Sequence, residues 1–143
     1  MVVPQHLLMA IKKIQDTHLV CPPRINQIAA EAALDAGFEW CRPRIEELAR
    51  VRITVLSELD TLGERCHIPK PQGAFYMLLQ LQTQKQDMGL VESLVRDYGV
   101  AVLPGNTFGV EHECALRIAY GALDFDTVME GVGRLRRGLE NLL

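Results

Sequence analysis

Residues 98–121 read YGVAVLPGNTFGVEHECALRIAYG. An apolar run, a Pro-Gly turn, a Phe-Gly loop and a second run carrying one arginine predict strand, loop and strand. Side chains alternate across a strand, so Ala115, Arg117 and Ala119 share one face, and Cys114, Leu116, Ile118 and Tyr120 share the other. The second face is apolar enough to be core. The first sets a guanidinium between two small side chains, which leaves room beside it. A planar fork of donors in a roomy, partly dry site suits a carboxylate or a phosphate. Most strand arginines are simply solvated, so Arg117 stands out only if the surrounding sequence supports a site.

Upstream, 74–81 predicts a strand with Phe75, Met77, Leu79 and Leu81 on one face, and 100–103 a shorter one. Asp87 can cap a helix running to Tyr98, with Val91, Leu94, Val95 and Tyr98 as its buried stripe. Asp124 can cap the last helix, striped by Val128, Val132, Leu135, Leu139 and Leu142. The N-terminal part is helical by periodicity. Leu7, Leu8, Ile11 and Ile14 mark 4–18, and Ile25, Ile28, Ala29 and Ala32 mark 24–36. A longer helix starts at Pro43 and carries Ile45, Leu48, Val51, Val55, Leu59 and Leu62. Gly37 ends or interrupts the second helix, and Gly63 stops the third. Three helices, then strand, helix, strand, strand and helix, predict an α+β fold: helices followed by a small three-stranded sheet covered by helices.

The composition is that of one soluble globular domain of 143 residues, 48% hydrophobic and 23% charged. A net charge of −3 argues against nucleic acid or an anionic membrane held by bulk charge. No apolar run approaches the roughly 18 residues of a membrane span, and the N-terminus lacks the charged start of a signal peptide. Cys21, Cys41, Cys66 and Cys114 form no C-x-x-C pair and are read as buried or half-buried thiols of a cytoplasmic protein. Glu111, His112, Glu113 and Cys114 read as a polar hairpin loop rather than a metal site, because no further ligands cluster with them. His6, His18, His67 and His112 make no acid–base constellation.

Three pieces in register carry a resemblance. Pro71-Gln72-Gly73-Ala74-Phe75-Tyr76 is similar to P-x-G-x-F-Y. Gly99-Val100, Pro104-Gly105 and Phe108-Gly109 follow G-V-x-x-x-P-G-x-x-F-G, and Leu116-Arg117-Ile118-Ala119-Tyr120 matches an R-[IL]-[SA]-[FY] strand. Together they resemble the C-terminal part of the pyridoxal-phosphate-dependent aminotransferases of class I/II, fold type I, over essentially the whole chain.

The resemblance implies that Arg117 grips the α-carboxylate of an amino-acid substrate and that Phe108 stands near the substrate entrance, the alternative for Phe108 being a place in the core. It implies pyridoxal 5'-phosphate as the cofactor, amino acids and 2-keto acids as substrates, and a homodimer. It also implies a large domain that holds the Schiff-base lysine, the acidic partner of the pyridinium and the phosphate donors. Lys12, Lys13, Lys70 and Lys85 match no S-x-x-K-like segment. The expectation is therefore a small domain over 37–143, led into by helices over 1–36, which alone holds no cofactor specifically and does not transaminate. Met1 to Pro4 resembles a strand running out of the large-domain sheet, and as an orphan edge it predicts self-association. The same fold carries lyases, carbon–carbon bond-forming synthases and cofactor-sensing regulators. A reading from another class, a non-catalytic interaction domain that kept the fold, predicts no pyridoxal binding.

Overall fold

The computed structural model describes residues 2–121 and 124–143, and the Met1 end of the expected lead-in strand lies outside them. The chain divides into two compact units, Met1–Pro43 and Arg44–Leu143.

In the first unit a short 3-10 turn, Gln5–Leu7, leads into helix α1, Leu8–His18. Helix α2, Arg24–Asp60, begins in this unit and is interrupted at Gly37, whose φ of 66° and ψ of −169° are not helical. Helix resumes upstream of the expected start at Pro43. Arg42 pairs with Glu39 at 2.5 Å across that turn and lies 5.4 Å from the Phe38 ring centroid, both contacts being exposed to solvent. Val2 and Val3 form no strand here, and among the described residues of this unit none is buried. The apolar stripes of 4–18 and 24–36 are thus largely in water: Ile14, Ile25 and Ile28 are exposed, as are Phe38 and Trp40.

The second unit holds the core. Strands β1 (Cys66–His67), β2 (Tyr76–Leu81), β3 (Leu103–Pro104) and β4 (Cys114–Ala119) form an antiparallel sheet in the order β1-β2-β4-β3. The three expected strands are joined by a fourth, because the chain leaving α2 pairs Cys66 and His67 with Leu81 and Gln80. Two residues carry too little periodicity to be seen in sequence. Strand β2 starts two residues late, since Ala74 takes a left-handed φ of 62°. The strand expected over 100–103 is only Leu103–Pro104, the part that reaches the register Leu103↔Arg117 and Pro104↔Leu116.

One face of the sheet is the core face, carrying Met77, Leu79, Leu81, Cys114, Leu116 and Ile118. Helices α3 (Asp87–Tyr98) and α4 (Phe125–Leu142) contribute Leu90, Leu94, Val128, Val132, Leu135 and Leu139, and α2 contributes Val51, Val55 and Leu59. Two stripe assignments shift. Leu90 rather than Val95 faces the core of α3, and Val95 is 49% exposed; Ile45 is also exposed. A stripe read at spacings of three and four can sit one position round the helix, and only packing fixes its centre. Asp124 does cap α4, accepting the Thr127 N–H at 3.0 Å, and these bonds lower its pKa. Asp87 is not the cap of α3; Gln86 holds that position. Arg136 on α4 ties the helices together by pairing with Glu58 at 2.7 Å and Glu140 at 2.6 Å.

The lead into β2 is clamped from two sides. Arg52 donates to the Pro71 carbonyl at 2.7 Å. Buried Tyr120 donates its hydroxyl to the Ala74 carbonyl at 3.3 Å and its N–H to the Phe75 carbonyl at 2.9 Å.

Cysteine burial is uneven. Cys114 is buried and Cys41 and Cys66 are half-buried, but Cys21 is exposed in the Cys21-Pro22-Pro23 break, where no packed element covers it. Burial pushes the Cys66 thiol up to about 11, so at pH 8 it stays protonated and unreactive. A thiol reagent at pH 8 is expected to modify Cys21 first and Cys66 last, read by mass-resolved peptide mapping; equal rates at both positions would contradict this burial pattern.

Helices α3 and α4 meet at Gly138, where an added Cβ would stand 2.5 Å from Leu94 Cδ2 and 3.1 Å from Tyr98 Cγ. Leu94 is fully buried and has nowhere to go. Gly138→Ala is expected to destabilise by about 1–3 kcal/mol through overpacking, less the gain in helix propensity. Gly131→Ala on the same helix meets nothing within 4 Å and is expected to stabilise by up to about 1 kcal/mol. Urea denaturation of both variants checks the opposite signs.

Candidate functional site

The outer face of the sheet carries the arginine. β4 is an inner strand, with Arg117 opposite Leu78 on β2 and Leu103 on β3. Tyr76 pairs with Ala119 and is a diagonal neighbour of Arg117 on that face. The guanidinium carbon of Arg117 stands 5.0 Å from the Tyr76 ring centroid and 3.9 Å from that of Phe108. A guanidinium against aromatic faces gains about 0.5–2 kcal/mol, more as water is excluded. The rings offer it no oxygen acceptor, so they do not take the place of an anion.

The N–H edge of Arg117 is unspent. Among the described residues Arg117 forms no ion pair and no side-chain hydrogen bond, although it is only half exposed. Every other arginine that the fold holds in partial burial has an acceptor: Arg52 has the Pro71 carbonyl, Arg134 has Glu130 and the Gly99 carbonyl, and Arg136 has two glutamates. A planar fork with free donors, backed by two rings, can take one carboxylate by two parallel hydrogen bonds.

Phe108 reaches Arg117 from the short turn Gly105–Phe108, which follows β3. The turn lies directly on β4. A Cβ at Gly105 would meet Ala115 Cβ at 2.6 Å and the Ala115 carbonyl oxygen at 2.9 Å, so only glycine allows this approach. This is why Ala115 is buried although it shares the outer face with Arg117. Gly109, at φ 82°, closes the turn by donating to the Asn106 carbonyl at 3.1 Å. Asp87 holds it from the side: Oδ2 accepts the Asn106 N–H at 2.9 Å, while Oδ1 accepts the Met88 N–H at 2.8 Å. The Cys114 thiol is pushed up by burial and, less, by the Asp87 charge.

The structure therefore brings together the two residues singled out in sequence, Arg117 and Phe108. Phe108 is 42% exposed, so it is not a core residue. Two further members, Tyr76 and Asp87, were not singled out for the site. Tyr76 was recoverable from register, two residues before the partner of Arg117. Asp87 was not, since its second bond spans 19 positions. Among the described residues no three His, Cys, Asp or Glu side chains stand together as a group that could hold a metal ion. A separate cleft of about 330 Å³ between α4 and residues 99–102 does not include Arg117.

The family model described as aminotransferase class I and II matches residues 1–135. This chain belongs to the class I and II aminotransferase family. The aromatic aminotransferase ISS1 of Arabidopsis thaliana is 33% identical over 132 residues, which is 92% of this chain and 33% of that protein. The putative aminotransferase YugH of Bacillus subtilis is 30% identical over 95% of this chain and 35% of its own length. Among solved structures, the aromatic aminotransferase of Pyrococcus horikoshii superposes with a TM-score of 0.83 at 27% identity, covering 98% of this chain and 38% of that one. LysN of Thermus thermophilus, an α-aminoadipate aminotransferase solved with N-(5'-phosphopyridoxyl)-L-leucine, gives 0.79 at 25% identity over 99% of this chain and 37% of its own. This aminotransferase chain thus spans about a third of the length of the relatives it matches. The family depends on pyridoxal phosphate. No helix among the described residues is long and apolar enough to cross a membrane.

Gly105→Ala is expected to lift the turn from β4 and destabilise this aminotransferase chain by about 1–3 kcal/mol. Adding Ala115→Gly removes the nearer of the two clashes and is expected to restore part of that loss. A denaturation double-mutant cycle reads the coupling, and additivity would contradict the contact.

Proposed function

We propose that this chain supplies the substrate-carboxylate anchor of a pyridoxal-phosphate-dependent aminotransferase, which moves an amino group between an amino acid and a 2-keto acid. The observation that carries the proposal is the free, half-buried fork of Arg117 between Phe108 and Tyr76. A carboxylate docking there would gain two charge-assisted hydrogen bonds and leave no protein acceptor to displace. Phe108, at the exposed end of the group, would cover the bound carboxylate and keep water from it, which strengthens the ion pair.

Pyridoxal phosphate, when bound, supplies the electron sink for the transfer. The residues here fit the substrate end of such a site and not the cofactor end. Lys85 gives its ammonium to the Leu142 carbonyl at 2.5 Å. Lys70 stands between Pro69 and Pro71, and Lys12 and Lys13 are exposed on α1. The Schiff-base lysine and the phosphate donors are therefore proposed to come from a large domain, with 37–143 as the small domain and 1–36 as the helices that lead into it. On this reading the 143-residue chain alone is inactive, and the whole enzyme is a cytoplasmic homodimer. The exposed Ile25, Ile28, Phe38 and Trp40 support a first unit that is covered by protein in the whole enzyme.

Arg117→Lys keeps the charge but loses the two-pronged geometry. In the full-length enzyme it is expected to raise the KM for the amino acid by roughly ten- to a hundredfold. Steady-state kinetics with the amino-acid donor checks this, and an unchanged KM would remove Arg117 from the site.

A further inference from the structure

Asp87 is a carboxylate kept out of water where the helix does not demand it. It is 9% exposed, and Gln86 rather than Asp87 is the cap of α3. A buried carboxylate is costly unless its oxygens are bonded. The two oxygens of Asp87 are divided between two elements: Oδ1 takes an N–H of the first turn of α3, and Oδ2 takes the N–H of Asn106 in the turn that carries Phe108.

Three things hold that turn, and they do different work. Its own backbone bonds, Gly109 to the Asn106 carbonyl and Val110 to the Gly105 carbonyl, fix its internal shape. The contact of Gly105 on Ala115 fixes one end against β4. Neither prevents the turn from tilting about that end. The Asn106–Asp87 bond does, because it ties the middle of the turn to a separate helix. Phe108 lies two residues beyond Asn106, with its ring centroid 3.9 Å from the Arg117 guanidinium carbon. A tilt at Asn106 therefore moves the aromatic surface that limits how Arg117 can turn.

We propose that Asp87 is a positioning residue for the carboxylate anchor: by holding the Asn106 N–H it fixes Phe108 over β4 and, through Phe108, the direction in which Arg117 presents its fork. This rests on Arg117 being the anchor. Loss of the tether leaves Arg117 present and charged but able to sample more orientations. The cost then falls on binding the amino acid, and the chemical step of bound substrate is largely spared.

The test uses the full-length holoenzyme and two substitutions at one position. Asp87→Ser keeps an oxygen for the Met88 N–H but is too short to reach Asn106. Asp87→Asn keeps the reach and one acceptor for Asn106. Asp87→Ser is expected to raise the KM for the amino acid about tenfold with kcat changed less than about twofold, and Asp87→Asn to recover most of that loss. In a Phe108→Ala background, Asp87→Ser is expected to add less than about twofold to KM, since its effect runs through Phe108. Equal KM effects of serine and asparagine, or the full tenfold loss without Phe108, would overturn the role. Should Asp87→Ser not fold, amide hydrogen exchange of the unmutated holoenzyme reads the tether directly. Asn106 protected like β4 supports it, and Asn106 exchanging like an open loop contradicts it. An unchanged KM in Arg117→Lys removes the anchor and this role together. A raised KM there, with none in Asp87→Ser, removes only the role of Asp87.

Discussion

Keeping an arginine half buried without giving it an anion is the constraint on which this structure turns. A guanidinium drawn partly out of water seeks a carboxylate, and the fold contains several. Arg136 shows the usual outcome, paired with Glu58 and Glu140. Arg117 is treated differently. Its guanidinium lies against Tyr76 and Phe108, which repay part of the lost hydration without supplying an anion. The fork thus lies against two rings and among the described residues has no protein anion bonded to it.

The rest of the second unit places those two rings. Tyr76 is set by register: β2 and β4 share six residue pairs, and a slip of one would turn Tyr76 into the core. Arg52 and Tyr120 hold the lead into β2, and the left-handed Ala74 delays the strand so that Tyr76 is its first residue. Phe108 is set by a turn that lies close to β4 because residue 105 has no side chain. The turn is tied to α3 because Asp87 is bonded on both oxygens. Behind the sheet, α3 and α4 close on each other at Gly138. Core packing, backbone geometry and hydrogen bonding therefore converge on a few side chains of the outer face.

Much of this was legible in sequence, for reasons that can be named. Alternation along 114–120 separated Arg117 from the core side chains, and the helices of the second unit followed from apolar spacing and from Asp124 and Gly63. Phe108 beside Arg117 came from the motif resemblance, not from periodicity. What stayed hidden depended on contacts between distant residues. β1 is two residues long and exists only by pairing with β2. Asp87 looked like a helix cap because that is the commonest local use of such a residue, and only the fold brings Asn106 to it. The exposure of Ile25, Ile28 and Cys21 was likewise unreadable, since an apolar stripe says that a face wants cover and not whether this chain provides it.

The central claim is that Arg117 receives the α-carboxylate of the amino acid. A crystal structure of the full-length enzyme with an unreactive amino-acid analogue tests it most directly. The account predicts both carboxylate oxygens at roughly 2.7–2.9 Å from the guanidinium nitrogens of Arg117, with Phe108 and Tyr76 still flanking it. An analogue whose carboxylate is held by other residues, with the Arg117 fork facing solvent or a protein acid, would contradict it.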